Sequence, residues 1–306
     1  MSTLQTIQEI ETSVGTANPV ATAPARADPG AGRHRLGQLA SIGRKPGMIV
    51  SALVLLIVIL WAILPSVFAP YDPLRANVSD LLKAPSAAHL FGTDQLGRDI
   101  YSRMVFGTQL SLVTSFVAVA IGLFFGSLIG LFAGYLGRHT DAVLMRVVDV
   151  ILAIPMLVLA MTIVTALGFG SVQLAIGVGI GMIGSVARVM RSEVMRVRHS
   201  MFVDAERSMG AGTIYIVFRH VLPSAVGPVL VLAVLDFVQA ILAIAALSFL
   251  GFGAPPPAPE WGAIVSAGQP YLSTAWWIST LPGLTIAVFA VCVNRIAREL
   301  QERRTR

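Results

Sequence analysis

Two carboxylates stand where water is scarce. Asp149 and Asp236 are the only acidic side chains inside the long apolar runs of this 306-residue chain. A carboxylate near the middle of such a run costs roughly 2.5–3.5 kcal/mol to insert into lipid. Gln239 follows Asp236 by three residues and shares its helix face, so the two make a polar stripe that must meet a partner helix or a watered cavity. Asp236 can then border a path for a polar solute and attract a cationic group. It can equally hold an interhelical hydrogen bond or stay neutral by burial. Asp149 has Arg146 one turn earlier as a candidate partner. Hydrolytic chemistry is missing. Neither Lys45 nor Lys83 sits in G-x-x-x-x-G-K-[ST], so no phosphate cradle of that kind is expected. The histidines, at 34, 89, 139, 199 and 220, show no paired ligand spacing, and the single Cys292 allows neither an internal disulfide nor a Cys-based metal site. The expectation is a chain with no catalytic residue, no metal and no cofactor of its own.

The elements that would hold these acids are spans. Hydrophobic residues make up 55% of the chain and charged ones 12%, with a mean hydropathy of +0.77. Six runs reach the length of about 20 apolar residues that a bilayer demands: 48–68, 108–136, 142–167, 172–190, 223–250 and 276–297. The reading is an all-α membrane protein with six transmembrane helices. With residue 1 inside, 18 of the 22 Lys and Arg fall on the inner side, leaving only Arg75, Lys83, Arg98 and Arg103 outside. That asymmetry places both termini in the cytoplasm. The net charge of +6 then reads as topology and contact with anionic membrane lipid, not as nucleic-acid binding. Trp61, Trp276 and Trp277 fall toward outer span ends, as an aromatic belt requires.

The chain divides accordingly. Residues 1–46, rich in Ala, Pro, Gly, Thr and Arg without an apolar period, read as a disordered cytoplasmic tail. Residues 47–107 hold the first span and an extracytoplasmic segment, 108–298 a five-helix core with a cytoplasmic loop at 191–222, and 299–306 a short cytoplasmic tail. In the second span Gly122, Gly126, Gly130 and Gly134 repeat every four residues on one face, which lets helix backbones approach closely. Gly177, Gly181 and Gly184 do similar work in the fourth. Pro155 and Pro282 remove backbone bonds within the third and sixth spans and predict kinks, either static or hinge-like.

The most informative polar stretch is 203–223, VDAERSMGAGTIYIVFRHVLP. Phe202, Ala205 and Met209 would share one face of a short helix, with an Asp204–Arg207 pair beside them. Gly210-Ala211-Gly212 should end that helix, and Leu222-Pro223 should open the next. The order acidic–Ala–acidic (Asp204, Ala205, Glu206), three residues, Gly210, then Leu222-Pro223 resembles the "EAA" coupling loop of permease subunits in bacterial ABC importers. Asp204 replaces the usual Glu and Glu206 the usual Ala. Residues 89–112, HLFGTDQLGRDIYSRMVFGTQLSL, resemble the FGTD-x-LGRD-x-x-SR segment of dipeptide, oligopeptide and nickel importer permeases. Residues 243–268, with LSFLGFGAPPPAPEWG, resemble a second segment of that family. The order of the three fits the C-type permease of the pair.

The resemblance implies an ABC importer permease fold of type I in a bacterial inner membrane, working by alternating access. It also implies a homologous second permease, one or two cytosolic ATPases that bind ATP and Mg, and an extracytoplasmic solute-binding protein that meets 251–268 and part of 69–107. Dipeptides or oligopeptides are the expected cargo, with nickel or another small solute as the alternative. A membrane-bound enzyme would need paired catalytic groups at one depth. A scaffold would need neither the intramembrane acids nor the amphipathic loop.

Overall fold

The computed structural model describes residues 46–305, which belong to one unit beginning at Pro46. The tail expected over 1–46 lies outside the described residues but for its last position. Helix dominates. The helices are α1 (Pro46–Ile63), α2 (Ile100–Leu136), α3 (Arg138–Ala153), α4 (Met156–Leu167), α5 (Ser171–Arg198), α6 (Met201–Ser208), α7 (Thr213–Phe249), α8 (Trp261–Ala267) and α9 (Trp277–Thr305). Five of them, α1, α2, α5, α7 and α9, are long and apolar enough to cross a membrane, and α3 with α4 makes a sixth if counted as one broken span.

The pair α2–α5 is the centre of the bundle, and glycine makes it. A Cβ added to Gly122 would lie 2.8 Å from Met182 Cβ, and one on Gly126 would lie 2.7 Å from Val186 Cβ. On Gly130 and Gly134 it would meet the carbonyl oxygens of Ala187 and Arg191 at 2.5 and 2.8 Å. From the other side Gly179 sits against Ala118 O and Ile121 Cβ, each 2.8 Å from its would-be Cβ. The partner of the glycine series is therefore a helix of this same chain. Lipid is as apolar as leucine, so close backbone contact has to supply the attraction. A second face of α5 receives the corner between α3 and α4: a Cβ on Gly181 would lie 2.6 Å from Met156 Cγ, and one on Gly184 would lie 2.6 Å from Leu152 Cγ.

That corner is Pro155. The residue before a proline is driven out of helical conformation, and Ile154 is extended at φ −94, ψ 126. The helix axis turns by 90° between α3 and α4. Pro282 behaves differently, because α9 runs through it without interruption, as α7 does through Pro228.

Several boundaries differ from the sequence reading. Asp99 caps α2, so the second span starts near residue 100 and the 107/108 division falls inside it. Residues 299–305, expected as a short cytoplasmic tail, continue the helix of α9. Two of the three tryptophans are core residues and not a belt. Trp61 packs edge-on against Tyr101 at 5.5 Å, and the buried Trp277 donates its indole N–H to Thr93 O at 3.3 Å; only Trp276 is exposed.

Gly130→Leu should force α2 and α5 apart, since its Cβ meets backbone and not a flexible side-chain end. Overpacking of this kind costs about 1–3 kcal/mol. Thermal unfolding of the purified protein should show a clear drop for Gly130→Leu. Gly283→Ala, with nothing within 4 Å of the added carbon, should unfold like the wild type.

Candidate functional site

At one end of the bundle the chain leaves α5 at Arg198, forms α6, and returns through α7. The stop of α6 is fully built. Gly210 has φ +85, its N–H donates to Arg207 O at 3.0 Å, and the Ala211 N–H reaches Glu206 O at 3.0 Å. These two bonds satisfy carbonyls that the helix end would leave bare. The next helix does not wait for Leu222-Pro223. It starts at Thr213 after Gly212, and Val217–Val221 form one π turn in which the Leu222 N–H reaches Val217 O. Pro223 has no N–H and its ring would collide with the carbonyl four residues earlier; the wider π turn makes room for it.

Two contacts fix the loop to the bundle. Val203, fully buried, enters a cluster with Val194, Val197, Ile216 and Val221. Arg198 donates from Nη1 to Tyr135 O at 2.6 Å and Gly134 O at 3.3 Å, and lies over the Tyr135 ring at 5.7 Å. A cation on the last carbonyls of a helix is favoured by the helix dipole, so the start of the loop is tied to the end of α2. The returning strand of chain closes on α6 through His220, whose Nε2 is 3.3 Å from Glu206 Oε1 and whose ring lies 5.9 Å from Phe202 and 5.8 Å from Tyr215.

The outward side of α6 is apolar. Met201 is 90% exposed, Met209 75%, and Phe202 and Ala205 are exposed with them. Asp204 and Arg207 flank this surface, 3.8 Å apart. Exposed methionine and phenylalanine at a helix end, with only Val203 of α6 buried, is a surface built for contact.

The intramembrane acids separate. Asp236 is half-buried on α7 and makes no ion pair or hydrogen bond among the described residues, while Gln239 is exposed. Asp149 pairs with Arg188 of α5 at 2.8 Å and not with Arg146. The physical reason is that α3 lies along α5, where the guanidinium reaches across directly. A second pair, Asp141 with Arg191, is bidentate, its Nη2–Oδ2 bond being 2.6 Å. Together they clamp α3 to α5.

The opposite end holds a buried polar lock. Asp94 accepts from Arg98 Nε at 2.7 Å, and Asp99 accepts from His89 Nδ1 at 2.9 Å and from Ser102 N at 2.8 Å. Arg103 donates to Pro73 O at 3.0 Å. The charges at 94–103, which lie in the segment expected to meet a solute-binding protein in part, are buried among themselves. Glu260 is buried too. It caps α8 through the N–H groups of Gly262 and Ala263 at 3.1 and 3.0 Å and accepts from Ser111 Oγ of α2 at 3.3 Å. Burial pushes its carboxyl above the usual carboxylate range, and those N–H groups offset this only in part. The Pro-rich loop preceding it stays largely at the surface.

Residues 126–306 match the family of binding-protein-dependent transport system inner membrane components. This chain belongs to that family. The permease is 38% identical over 268 residues to the di/tripeptide transport system permease protein DppC of Pseudomonas aeruginosa (strain UCBPP-PA14), covering 86% of this chain and 88% of that protein. It is 40% identical to the dipeptide transport system permease protein DppC of Alkalihalophilus pseudofirmus, covering 82% and 84%. It is 35% identical to the glutathione transport system permease protein GsiD of Pectobacterium atrosepticum, covering 82% of each. Among solved structures an amino acid ABC transporter has a TM-score of 0.51 at 18% identity, over 66% of this chain and 94% of that one. The fold is thus that of an ABC transporter permease, and the protein is a multi-pass inner-membrane component.

Sequence reasoning about this permease missed Arg198, His220 and Glu260. Arg198 reads as one more cation beyond a span, and glutamate is not a favoured helix cap. Nothing in the sequence distinguishes either from a solvated charge. Within the loop, Gly210→Val places a β-branched residue at φ +85, a conformation that costs non-glycine residues roughly 1–2 kcal/mol. Limited proteolysis of the assembled protein should cut the 199–212 loop markedly faster in that variant. Unchanged protection would show that the cap does not hold the loop.

Proposed function

We propose that this permease is the subunit through which a bacterial ABC importer brings short peptides into the cell. The exposed apolar side of α6, on a helix held by Val203, Arg198 and the Gly210 cap, carries the reading. It is the shape of a lever that takes force from a soluble neighbour and passes it to α2 and α5. The neighbour is a cytosolic ATPase, one or two copies of which bind ATP and Mg; this chain binds neither. The excess of Lys and Arg at the α6 end of the bundle puts that end in the cytoplasm, with both termini on that side. A second, homologous permease completes the pathway. The surface of the Pro-rich loop meets the extracytoplasmic solute-binding protein, through its uncharged backbone and not through the buried lock charges. The names of the relatives support peptides as cargo.

In the mechanism, closure of the ATPases displaces α6. The α2–α5 pair follows through Arg198 and Val203, and the cavity between the two permeases changes the side to which it opens. Asp236 and Gln239 border that cavity, where the carboxylate attracts the amino terminus of a peptide. Liposomes carrying the complete complex, with binding protein inside and ATP and Mg outside at the ATPase face, should export the binding protein's labelled trialanine from lumen to medium. Failure of the wild-type complex to do so would overturn the peptide reading. Asp236→Asn should lower that rate by roughly tenfold, about the worth of one charge-assisted hydrogen bond, in a complex that still assembles. An unchanged rate would remove Asp236 from the path.

The sidedness has its own test. A cysteine at Ala258, a partly exposed loop position beside the three prolines, should crosslink to the binding protein and not to the ATPases. Crosslinking to an ATPase would invert the topology.

A further inference from the structure

Between the polar lock and the Pro-rich loop lies a cavity of about 730 Å³, lined by Gln95, Arg98, Arg103, Phe169, Ser248 and the loop prolines among others. Arg98 and Arg103 are the only charged residues in its wall, and both are buried, 8% and 7% exposed. One carboxylate serves the two of them. Asp94 Oδ2 accepts from Arg98 Nε at 2.7 Å and stands 3.9 Å from Arg103 Nε. Its Oδ1 is taken by the N–H groups of Leu96 and Arg98 at 2.8 and 3.0 Å. Asp99, the other acid of the lock, is held by His89 and Ser102. Arg103 directs Nη1 to Pro73 O, whereas the Arg98 side chain donates through Nε alone among the described residues.

The balance is two buried guanidinium groups against one carboxylate. A buried charge is tolerated when it is paired and hydrogen-bonded, and here one cation has terminal nitrogens left over. A guanidinium fork matches a carboxylate in a bidentate geometry. The rest of the wall is apolar apart from Gln95 and the serines, and the volume falls within the roughly 300–1,000 Å³ usual for small-molecule sites. Gln95 Oε1 is closed off from solvent and accepts no hydrogen bond among the described residues; turned into the cavity, it would accept an amide N–H entering with the ligand. Phe169, stacked at 5.6 Å on Phe252, and Pro255–Pro257 offer apolar surface for side chains.

We propose that this cavity receives the terminal carboxylate of a short peptide, with Arg98 as its ligand and Gln95 accepting a peptide N–H. The inference rests on the peptide reading above and deepens it, because it gives the permease a subsite of its own on the face where the binding protein releases cargo. The small, walled volume favours the peptide itself over an acidic loop of the binding protein.

The test uses the complete importer in liposomes at saturating binding protein, with trialanine and trialanine amide as probes. Arg98→Lys keeps the charge and loses the fork. It should raise the half-saturating concentration of trialanine by roughly tenfold, as for loss of a charge-assisted bond, and that of the amide by less than about twofold. Because Arg98 also holds Asp94, the melting temperature of the variant is measured alongside. Gln95→Leu, which breaks no hydrogen bond to Gln95 Oε1 within the described residues, should raise both values by roughly threefold. Should Arg98→Lys fail to assemble, Gln95→Leu decides alone, and unchanged values in it overturn the proposal. Equal losses for acid and amide in Arg98→Lys overturn it as well. So does a rise in the binding-protein concentration needed for half-maximal rate with the acid-to-amide ratio unchanged, which would assign the cavity to protein docking. Absence of trialanine movement in the wild type is distinguishable from all of these, since it overturns the peptide reading and this inference with it.

Discussion

The contact of α2 with α5 is the constraint on which the remaining structure rests. Two helices of 37 and 28 residues meet along four glycines, each too close to the facing helix for a side chain. In a bilayer no hydrophobic force drives helices together, so packing at backbone distance and interhelical polar bonds must do it. Once these two helices are in register, both ends of the protein follow. At one end Arg198 finds the final carbonyls of α2; at the other, Ser111 of α2 finds Glu260 and the start of α8. The same helix α5 turns its other glycines toward the Pro155 corner. Its arginines reach the acids of α3, so one element positions α2, α3 and α4 by close glycine packing and by ion pairs.

The two ends use charge in opposite ways. At the lock end, Asp94, Arg98, Asp99, Arg103 and Glu260 are buried and largely bonded to one another and to backbone, which fixes the entry to α2 and α8. Such networks hold a geometry well and tolerate loss of a member badly, since each removal leaves a buried partner bare. At the loop end, Asp204 and Arg207 are exposed and weakly paired, and the attachment is made by the buried Val203 and the half-buried Arg198. The lever proposed above needs a rigid attachment and a free surface, and α6 has the first through Arg198, Val203 and the Gly210 cap and the second through Met201, Phe202 and Met209.

How much was legible in the sequence follows from the range of the interactions. The glycine spacing, the proline at 155 and the Gly210 stop are local facts of backbone chemistry, and each has a local structural consequence that a sequence displays. The start of α7 was misjudged because Pro223 is an ordinary signal for a first helical turn; a π turn that absorbs a proline leaves no trace in composition. Asp149 was assigned to Arg146 by spacing within one helix, whereas the partner, Arg188, comes from a helix that only the tertiary fold brings near. Glu260 and Arg198 were missed for the same reason. Long-range polar bonds are where a sequence read one element at a time runs out. The charges of the lock are a further case, because their burial depends on a chain segment about thirty residues earlier, where the Tyr71 N–H donates to Ser102 Oγ and Pro73 O accepts from Arg103.

A protein that satisfies its buried polar groups so thoroughly makes the exceptions informative. Native structures leave few such groups without a partner, and those few tend to be functional. Three features stand out: a half-buried carboxylate on α7, a cavity wall in which two guanidinium groups share the carboxylate of Asp94, and an apolar helix surface left in the open. Packing alone explains none of them, since packing would have neutralised the acid, matched the cation and covered the methionines. The peptide pathway proposed above accounts for all three, because a route for a zwitterionic solute needs a cationic point at its mouth, an anionic point within, and a handle by which the walls can be moved.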